Sequence, residues 1–382
     1  MAAAIICEFN PFHNGHRYLI EKVKQITGEP VLAVMSGSFV QRGEAAICSK
    51  FERAQTALNN GADLVVELPT VYAVSCAQRF AQGGVNIAKA FGDVNKLAFG
   101  CETDSIDALY AAANAINNPE VNSRVTEQMQ DGAYYPQAFE RAVREVLGSE
   151  TADVLTSPNN ILGVEYLRAL RGTGIQPVPV RRTGASHDSD MIVGDFVSGS
   201  KLREMLRRGE DVSRFAPNPP DSITFPENIE RALLFKLRNM TAEDFRVLPE
   251  VGEGLEYRFV TAAARYNSIE EILYAVKTKR YTLARLRRII CCAALGITEA
   301  MQSQTAEYAR VLGFTEAGEK MLKSCMCEIV TSVGKTMREG GKNVEFLRKD
   351  ILATDIAALA YERIKPCASD YRTKILKKNC AI

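Results

Sequence analysis

Apolar runs alternate with amphipathic stretches along the first 215 residues of the chain. The apolar runs fall at 2–7, 31–35, 63–69, 96–100 and 176–182, and each has about the length of a buried strand. Stretches with the helical spacing of apolar residues lie between them. Short apolar strands that alternate with helices are typical of a parallel sheet covered on both faces. This part of the chain therefore predicts an α/β fold with a doubly wound parallel sheet.

The pattern changes at a proline-rich stretch, 216–221. Beyond it the spacing of apolar residues is helical, and we predict no strand there. The candidate helices lie at 227–238, 268–276, 282–294, 317–333 and 344–352. We therefore predict a first domain at 1–215, a linker at 216–226 and a helical domain at 227–382.

Composition narrows the class of protein. The chain has 382 residues, 46% hydrophobic and 24% charged, with a net charge of +1, so any nucleic-acid surface must be local. No uncharged apolar run reaches about 18 residues and the N-terminus lacks a basic leader, so we expect a cytoplasmic protein without a membrane span. Ten cysteines occur without a C-x-x-C pair, so we expect reduced thiols and no zinc site.

The first predicted strand ends in a polar turn, 10–16, that carries two of the three histidines, His13 and His16. A helix N-terminus favours phosphate, and imidazoles there donate hydrogen bonds to anionic oxygens. Gly15 permits close approach of a ligand, and Pro11 stiffens the turn. Two polar residues in a solvated turn are the plain alternative, but the position after the first strand favours a phosphate site.

A second turn with phosphate-binding character lies at 197–203. Ser198 and Ser200 offer hydroxyl groups at the start of a helix, where the backbone also favours anions. Lys201 and Arg203 follow and would neutralise a leaving pyrophosphate. Taken alone, the stretch could equally be an ordinary helix cap followed by surface charges.

Other polar residues follow predicted strands or open helices. Ligands of parallel sheets bind beyond the carboxyl ends of the strands, so these residues are candidates for the same site. They are Ser38, Gln41, Arg42, the strand end at Glu67, one of Asn159 and Asn160, and one of Arg181 and Arg182. A solvated charge is an equal reading of Arg42, and helix capping is the plain reading of the asparagines. His187 lies in a polar loop, where a lone histidine is more often simply polar than a substrate contact.

A basic segment stands out in the predicted helical domain. It carries six cations with no acid between them, namely Lys277, Lys279, Arg280, Arg285, Arg287 and Arg288, and it interleaves Tyr274 and Tyr281. Cations with aromatic rings suit an RNA backbone and unstacked bases. A helix that exposes one charged face and buries the other would give the same pattern, and the two readings are compatible.

Four strings of the sequence resemble one known family. They are 8–16, 35–44, 157–163 and 279–282, and together they are similar to the tRNA(Met) cytidine acetate ligases of the H-x-G-H nucleotidyltransferase superfamily. Two departures occur, since Phe9 stands where tyrosine is common and Ala45 where proline is common. The resemblance implies a nucleotidyltransferase (Rossmann-like) sheet. It also implies that ATP activates acetate to acetyl-adenylate, and that N4 of the wobble cytidine (position 34) of elongator tRNA(Met) accepts the acetyl group.

The resemblance also implies roles for residues. The catalytic set is His13, His16 and Lys201. The ATP contacts are Cys7, Glu8, Phe9, Asn10, Pro11, Phe12, His13, Asn14, Gly15, His16, Arg17, Ile20, Gly100, Asn160 and Arg182, together with Ser198, Ser200 and Arg203. The basic segment would bind tRNA, and Mg²⁺ would accompany ATP. We expect ATP, acetate and tRNA(Met) as partners, and neither DNA nor a membrane.

Two alternatives remain open from the sequence. A small-molecule adenylyltransferase of cofactor biosynthesis would use the same histidine turn, but it would not need the basic segment. A non-catalytic RNA-binding protein with a vestigial nucleotide site would bind tRNA without exchanging pyrophosphate into ATP.

Overall fold

The computed structural model describes residues 1–130, 135–182, 192–252 and 254–378. The strands of this part are β1 (Ala2–Cys7), β2 (Val31–Ser36), β3 (Phe39–Val40), β4 (Glu44–Ala45), β5 (Leu64–Leu68), β6 (Val94–Cys101), β7 (Gln176–Arg181), β8 (Tyr308–Thr315), β9 (Glu328–Val330) and β10 (Leu376–Lys378). Residues 183–191, which include His187, lie outside the described residues, so the prediction for His187 is not addressed.

The helices connect and cover these strands. They are α1 (Asn14–Thr27), α2 (Lys50–Asn59), α3 (Thr70–Ala73), α4 (Ala77–Lys89), α5 (Ile106–Asn114), α6 (Pro119–Gln130), α7 (Tyr135–Leu147), α8 (Ser149–Val154), α9 (Pro158–Ala169), α10 (Gly199–Arg207), α11 (Glu230–Arg238), α12 (Ala242–Arg246), α13 (Leu255–Arg265), α14 (Ile269–Val276), α15 (Leu283–Leu295), α16 (Glu299–Gln302), α17 (Glu316–Leu322), α18 (Val333–Glu339), α19 (Val344–Ala357) and α20 (Ser369–Arg372).

The main sheet has a parallel centre, which confirms the predicted α/β class. Its order across the described residues is β10-β8-β5-β2-β1-β6-β7, with β9 paired to β8. The five strands from β5 to β7 run parallel. From β1 the chain first builds β2 and β5 on one side and then β6 and β7 on the other. The direction of winding therefore reverses at β1, and a crevice for ligands forms beyond its carboxyl end.

The C-terminal part of the chain also contributes strands to this sheet, so the prediction of no strand beyond 226 is wrong. β8 pairs with β5 in antiparallel orientation, and β9 and β10 run parallel to β8. The helix predicted at 317–333 is wrong as well, because α17 ends at Leu322 and β9 intervenes before α18. β8 was not predicted because Arg310 interrupts its apolar pattern. A charged residue rarely lies in a buried strand unless it is paired.

The predicted helices at 227–238, 268–276 and 282–294 are confirmed to within a few residues as α11, α14 and α15. With α12 and α13 they pack around a separate apolar cluster that includes Leu237, Phe259 and Leu286. The rings of Phe245 and Phe259 stack within this cluster, with their centroids 5.2 Å apart. Residues after 226 thus form both a helical cluster and one side of the sheet. The division of the chain into one domain at 1–215 and another at 227–382 stays a prediction.

Gly83 and Gly84 allow close packing of the helix that follows α3. Both glycines are inside α4, where helix packing explains them. A Cβ at Gly83 would lie 2.5 Å from the Tyr72 ring, and one at Gly84 would lie 2.5 Å from Cδ1 of Ile6. The glycines therefore let α4 approach β1 and α3 closely.

The nine cysteines of the described part are free thiols, and Cys48, Cys101, Cys291 and Cys292 are buried. Among the helices that the structure describes, none combines the length and the apolarity needed to cross a bilayer.

Candidate functional site

The two histidines of the first turn form the N-terminal cap of α1. His13 is the cap residue, and its Nδ1 accepts a hydrogen bond from the Gly15 amide at 3.0 Å. The His13 amide donates to Nδ1 of His16 at 3.3 Å, and the two rings stack with centroids 3.8 Å apart. The imidazoles thus occupy the places that a hydroxyl and a carboxylate take in a capping box. A neutral imidazole that accepts at Nδ1 carries its proton at Nε2, so each ring becomes a donor on its other side.

The protonation state of His16 follows from its surroundings. Burial, with His13 and Arg182 nearby, lowers the pKa of His16 well below its usual value. The ring of Phe9 packs against it edge-on at 5.0 Å. His16 is therefore a neutral hydrogen-bond donor at physiological pH, which suits stabilisation of a developing negative charge without a change of protonation state.

Bonds to distant segments hold the turn in place. The Asn10 side chain accepts from the Ile47 amide at 2.6 Å. The Asn14 side chain donates to the carbonyl oxygens of Asp195 and Arg214, at 2.8 and 2.9 Å. These partners precede and follow α10, so the turn is fixed against the second predicted phosphate-binding segment.

The structure brings the two predicted phosphate-binding turns together. Ser198 caps α10 by accepting from the Lys201 amide at 3.1 Å. Arg203 reaches back and donates to the Asn10 carbonyl at 2.8 Å. A Cβ at Gly199 would lie 3.6 Å from that carbonyl and 3.9 Å from Nε2 of His13. The N-terminus of α10 and the histidine turn therefore face each other at contact distance.

Between the two turns lies a cleft of about 720 Å³. Most of the predicted ATP contacts line it, namely Cys7, Glu8, Phe9, Asn10, His13, Gly15, His16, Gly100, Arg182, Ser198, Ser200 and Arg203. Pro11, Phe12, Asn14, Arg17, Ile20, Asn160 and Lys201 are not among the lining residues. Ile20 is fully buried, Arg17 pairs with Glu21 on the surface at 2.7 Å, and the Lys201 ammonium lies 3.1 Å from Glu204.

The paired candidates that the sequence left open occupy different places. Asn160 is buried, and its oxygen accepts from the Glu102 amide at 2.7 Å, which shapes the loop after β6. Asn159 lines the cleft and donates to the Glu102 carboxylate at 2.6 Å. Neither caps α9, because Ser157 is the cap residue. Both arginines border the cleft, but Arg181 is exposed and pairs with Asp104 at 2.6 Å.

Another part of the cleft wall combines the turn between β3 and β4 with α15. Gln41 and Arg42 line the cleft, whereas Ser38 donates to Thr354 of α19 at 3.0 Å. Gly43 has a positive φ of 74°, and a Cβ there would lie 2.5 Å from the Arg288 nitrogen. The turn therefore rests directly on the backbone of α15.

The basic segment is divided among three environments. Lys277, Lys279 and Arg280 are exposed before α15 begins. Arg285 donates to the Glu250 carbonyl, and Arg288 forms a bidentate pair with the Glu250 carboxylate at 2.6 and 2.8 Å. Arg287 is exposed, and together with Arg288 it borders the cleft.

Arg53 is a buried organiser of the site that sequence reasoning missed. It lies on α2, is 1% exposed, and donates to the carbonyls of Glu8 and Ser36 at 2.6 and 3.0 Å and also to the Gly37 carbonyl. One guanidinium thus ties together the ends of β1 and β2, which form the edge of the cleft. In the sequence, Arg53 occupies an ordinary position in a predicted helix, and nothing there distinguishes it from a surface arginine.

Glu67 was also expected at this edge, but it lies beneath the surface in a network of charges. Lys50 approaches its carboxylate at 2.8 Å and Arg310 at 3.1 Å. Asp370 joins both cations, at 2.9 and 2.5 Å. The network pairs four buried charges from α2, β5, β8 and α20, so it ties the C-terminal segment to the parallel sheet.

Proteins of known family resemble this chain over nearly its whole length. The model of the family HIGH Nucleotidyl Transferase matches residues 1–372. The tRNA(Met) cytidine acetate ligase of Thermoanaerobacter sp. (strain X514) is 35% identical over 98% of both chains. The crystal structure of Thermotoga maritima TmcAL in its apo form is 28% identical with a TM-score of 0.90, over 99% of this chain and 100% of that one. The same protein bound with alpha-thio ATP has a TM-score of 0.88.

Proposed function

This chain belongs to the tRNA(Met) cytidine acetate ligase family of HIGH nucleotidyltransferases, and on that premise we propose the reaction that it catalyses. ATP activates acetate to acetyl-adenylate, and the acetyl group then passes to N4 of the wobble cytidine of elongator tRNA(Met). The likeness to a solved relative bound with an ATP analogue supports ATP as the nucleotide. The cleft between the two capped helix N-termini is the proposed site of both steps.

The observation that carries the proposal is the use of both histidine Nδ1 atoms by the backbone of α1. The rings are fixed by that cap, so their Nε2 protons are preorganised. When an acetate oxygen attacks the α-phosphorus and pyrophosphate departs, charge develops on the phosphate oxygens. His13 and His16 would donate to those oxygens, and preorganised donors of this kind contribute roughly 10²- to 10³-fold to a rate.

The leaving pyrophosphate would be held at the start of α10. Ser200 and Arg203 line the cleft there, and the helix N-terminus itself favours anions. Lys201 remains a proposed contributor, since a long side chain can leave its exposed partner Glu204 for a phosphate at small cost.

Mg²⁺ would arrive with the triphosphate rather than occupy a site built by the protein. Among the described residues no group of three or more histidine, cysteine, aspartate or glutamate side chains could hold a metal ion. The phosphate-facing segment offers hydroxyls and cations instead, which fits a metal held mainly by phosphate oxygens and water. The ion would shield the β- and γ-phosphates. The predicted absence of zinc stays a prediction.

The tRNA is proposed to dock on the side of α15. Arg287 is exposed at the cleft, and Lys277, Lys279 and Arg280 are exposed before the helix begins. These cations would contact phosphates, which fixes the register of the anticodon loop. The target cytidine must leave the stack to bring its amine into the cleft. Arg285 and Arg288, held by Glu250, would contribute through the shape of this wall.

Two measurements test the proposal. Acetate-dependent exchange of labelled pyrophosphate into ATP tests the adenylation step, and acetylated cytidine in tRNA(Met) after incubation with ATP and acetate tests the whole reaction. Exchange without acetate, or no acetylated tRNA, would contradict it. The alternative of a small-molecule adenylyltransferase is not favoured, because the ligase relative matches both the sheet and the helical cluster.

A further inference from the structure

Glu8 occupies an unusual position for a carboxylate in a nucleotide cleft. It directly follows β1 and lines the cleft immediately before the histidine turn. One carboxylate oxygen accepts from the Gln41 amide at 2.7 Å, and the Glu8 carbonyl accepts from Arg53 at 2.6 Å. The other carboxylate oxygen makes no hydrogen bond with any residue that the structure describes. The side chain is therefore anchored at one oxygen while the other is available to a substrate.

Glu8 is also linked to two different parts of the cleft wall. The histidine turn follows it on one side. On the other side, the turn that holds Glu8 through Gln41 rests on α15, where Gly43 meets the backbone of Arg288. Glu8 is thus connected to the phosphate-facing wall through the backbone that continues into the histidine turn. It is connected to the proposed tRNA-facing wall through its hydrogen bond with the Gln41 amide.

Charged and titratable groups face Glu8 from each neighbouring element. They are Arg53 of α2, Arg203 of α10, Glu44 of β4, Cys7 of β1 and Tyr166 of α9. Burial is the largest influence and raises the pKa of Glu8 above its usual value, with Glu44 acting in the same direction and the two arginines opposing it. A raised pKa makes the ionised carboxylate a stronger base than an exposed glutamate.

Resting on the proposed function, we propose that Glu8 is the general base of the second step, in which it takes a proton from N4 of the target cytidine. The exocyclic amine of cytosine is a weak nucleophile because its lone pair is delocalised into the ring. As N4 attacks the acetyl carbonyl, the N–C bond forms, the bond from the carbonyl carbon to the adenylate oxygen breaks, and AMP leaves with that electron pair. The proton lost from N4 goes to the free oxygen of Glu8.

The experiment separates the two steps in Glu8→Gln, which retains an acceptor for the Gln41 amide but cannot take a proton. Transfer is followed as acetylated cytidine in a single turnover, with acetyl-adenylate formed beforehand on the enzyme. We expect transfer to slow by about 100-fold or more, as loss of a general base does. Acetate-dependent pyrophosphate exchange, which does not use this proton, should fall by less than a factor of about ten.

The pH profile distinguishes a base from a merely structural residue. In the wild type, transfer should rise with pH to a plateau, with its midpoint above the usual range of a glutamate. Glu8→Gln should lack this rise, and Glu8→Asp should retain it at a lower rate. Glu44→Gln removes a neighbouring negative charge and should move the midpoint to lower pH.

Three results would overturn the inference. Glu8→Gln could transfer acetyl at the wild-type rate, it could lose exchange and transfer by the same factor, or it could keep the wild-type pH profile. A wild type that forms no acetylated cytidine would overturn the proposed function and this inference together, so the two failures are distinguishable. Thermal unfolding of each variant identifies any that fail to fold, and Glu8→Asp then carries the test.

Discussion

Both the histidine turn and the basic segment can be recognised in the sequence, but they differ in which residues hold their side chains in place. In the turn, both imidazoles bond to amides within three residues, so the residues that form the motif also build its geometry. In the basic segment, six cations that are close in sequence take three different environments. Two of them are held by Glu250, which lies 35 and 38 residues away.

The difference shows what kind of chemistry a short string of residues can encode. A capped helix N-terminus requires only local hydrogen bonds, so its function can be inferred from spacing and residue type. A charged surface depends on which faces of a helix are covered by other segments, and those segments are distant in sequence. The following predictions test whether the turn is catalytic and whether the basic segment combines a structural part with an RNA-facing part.

The largest effect is expected at His16. Replacing it with alanine removes a preorganised donor, and acetate-dependent pyrophosphate exchange should fall by a factor of about 10² to 10³ or more. His16→Asn is the matched control, because its side-chain oxygen can still accept from the His13 amide while it lacks the Nε2 proton. Both variants should lose exchange and still bind tRNA. Normal exchange in His16→Asn would mean that the turn is structural only.

The next effect concerns the stability of the basic segment. Arg288→Ala leaves Glu250 without its bidentate partner in a site where both side chains are mostly buried, and should destabilise the protein by about 2 to 3 kcal/mol. Arg287→Ala is the neighbouring control and should change stability by less than about 0.5 kcal/mol. Urea unfolding measures both.

Binding of tRNA should show the reverse order for this pair. Arg287→Ala should weaken it and reduce its dependence on salt by about one unit of slope if Arg287 contacts a phosphate. Equal stability of the two arginine variants, or an unchanged salt slope in Arg287→Ala, would contradict the proposal that the basic segment combines a structural part with an RNA-facing part.

A third effect is expected where the two regions meet, at Gly43. Its positive φ and its contact with α15 leave no room for a Cβ, so Gly43→Ala should destabilise the protein by about 2 kcal/mol. It should also slow acetyl transfer more than pyrophosphate exchange, because it displaces the wall between Glu8 and α15. Gly28→Ala is the control, with a φ of 67° and nothing near its Cβ, and should cost about 1 kcal/mol. Similar behaviour of both variants would mean that the contact with α15 is not important.

Locally encoded features could be predicted, and features that depend on distant partners could not. The strand, turn and helix around His13 follow from a short apolar run, a cap and helical spacing. β8 was missed because Arg310 interrupts its apolar pattern, and the carboxylates that neutralise this arginine, Glu67 and Asp370, are far away in sequence. Arg53 was missed for the same reason, since the carbonyls that it binds belong to other strands.

The smallest effect is a pH dependence of stability that belongs to the turn. The pKa of His16 is lowered in the folded state, so the unfolded chain binds a proton more readily than the folded one. Stability should therefore fall as pH decreases below about 6.5, the usual value for an unfolded histidine. His16→Asn has no such group, so the thermal midpoint of the wild type should fall more steeply between pH 8 and pH 5 than that of the variant. Parallel curves for the wild type and His16→Asn would mean that the imidazole is not kept neutral by its position in the fold.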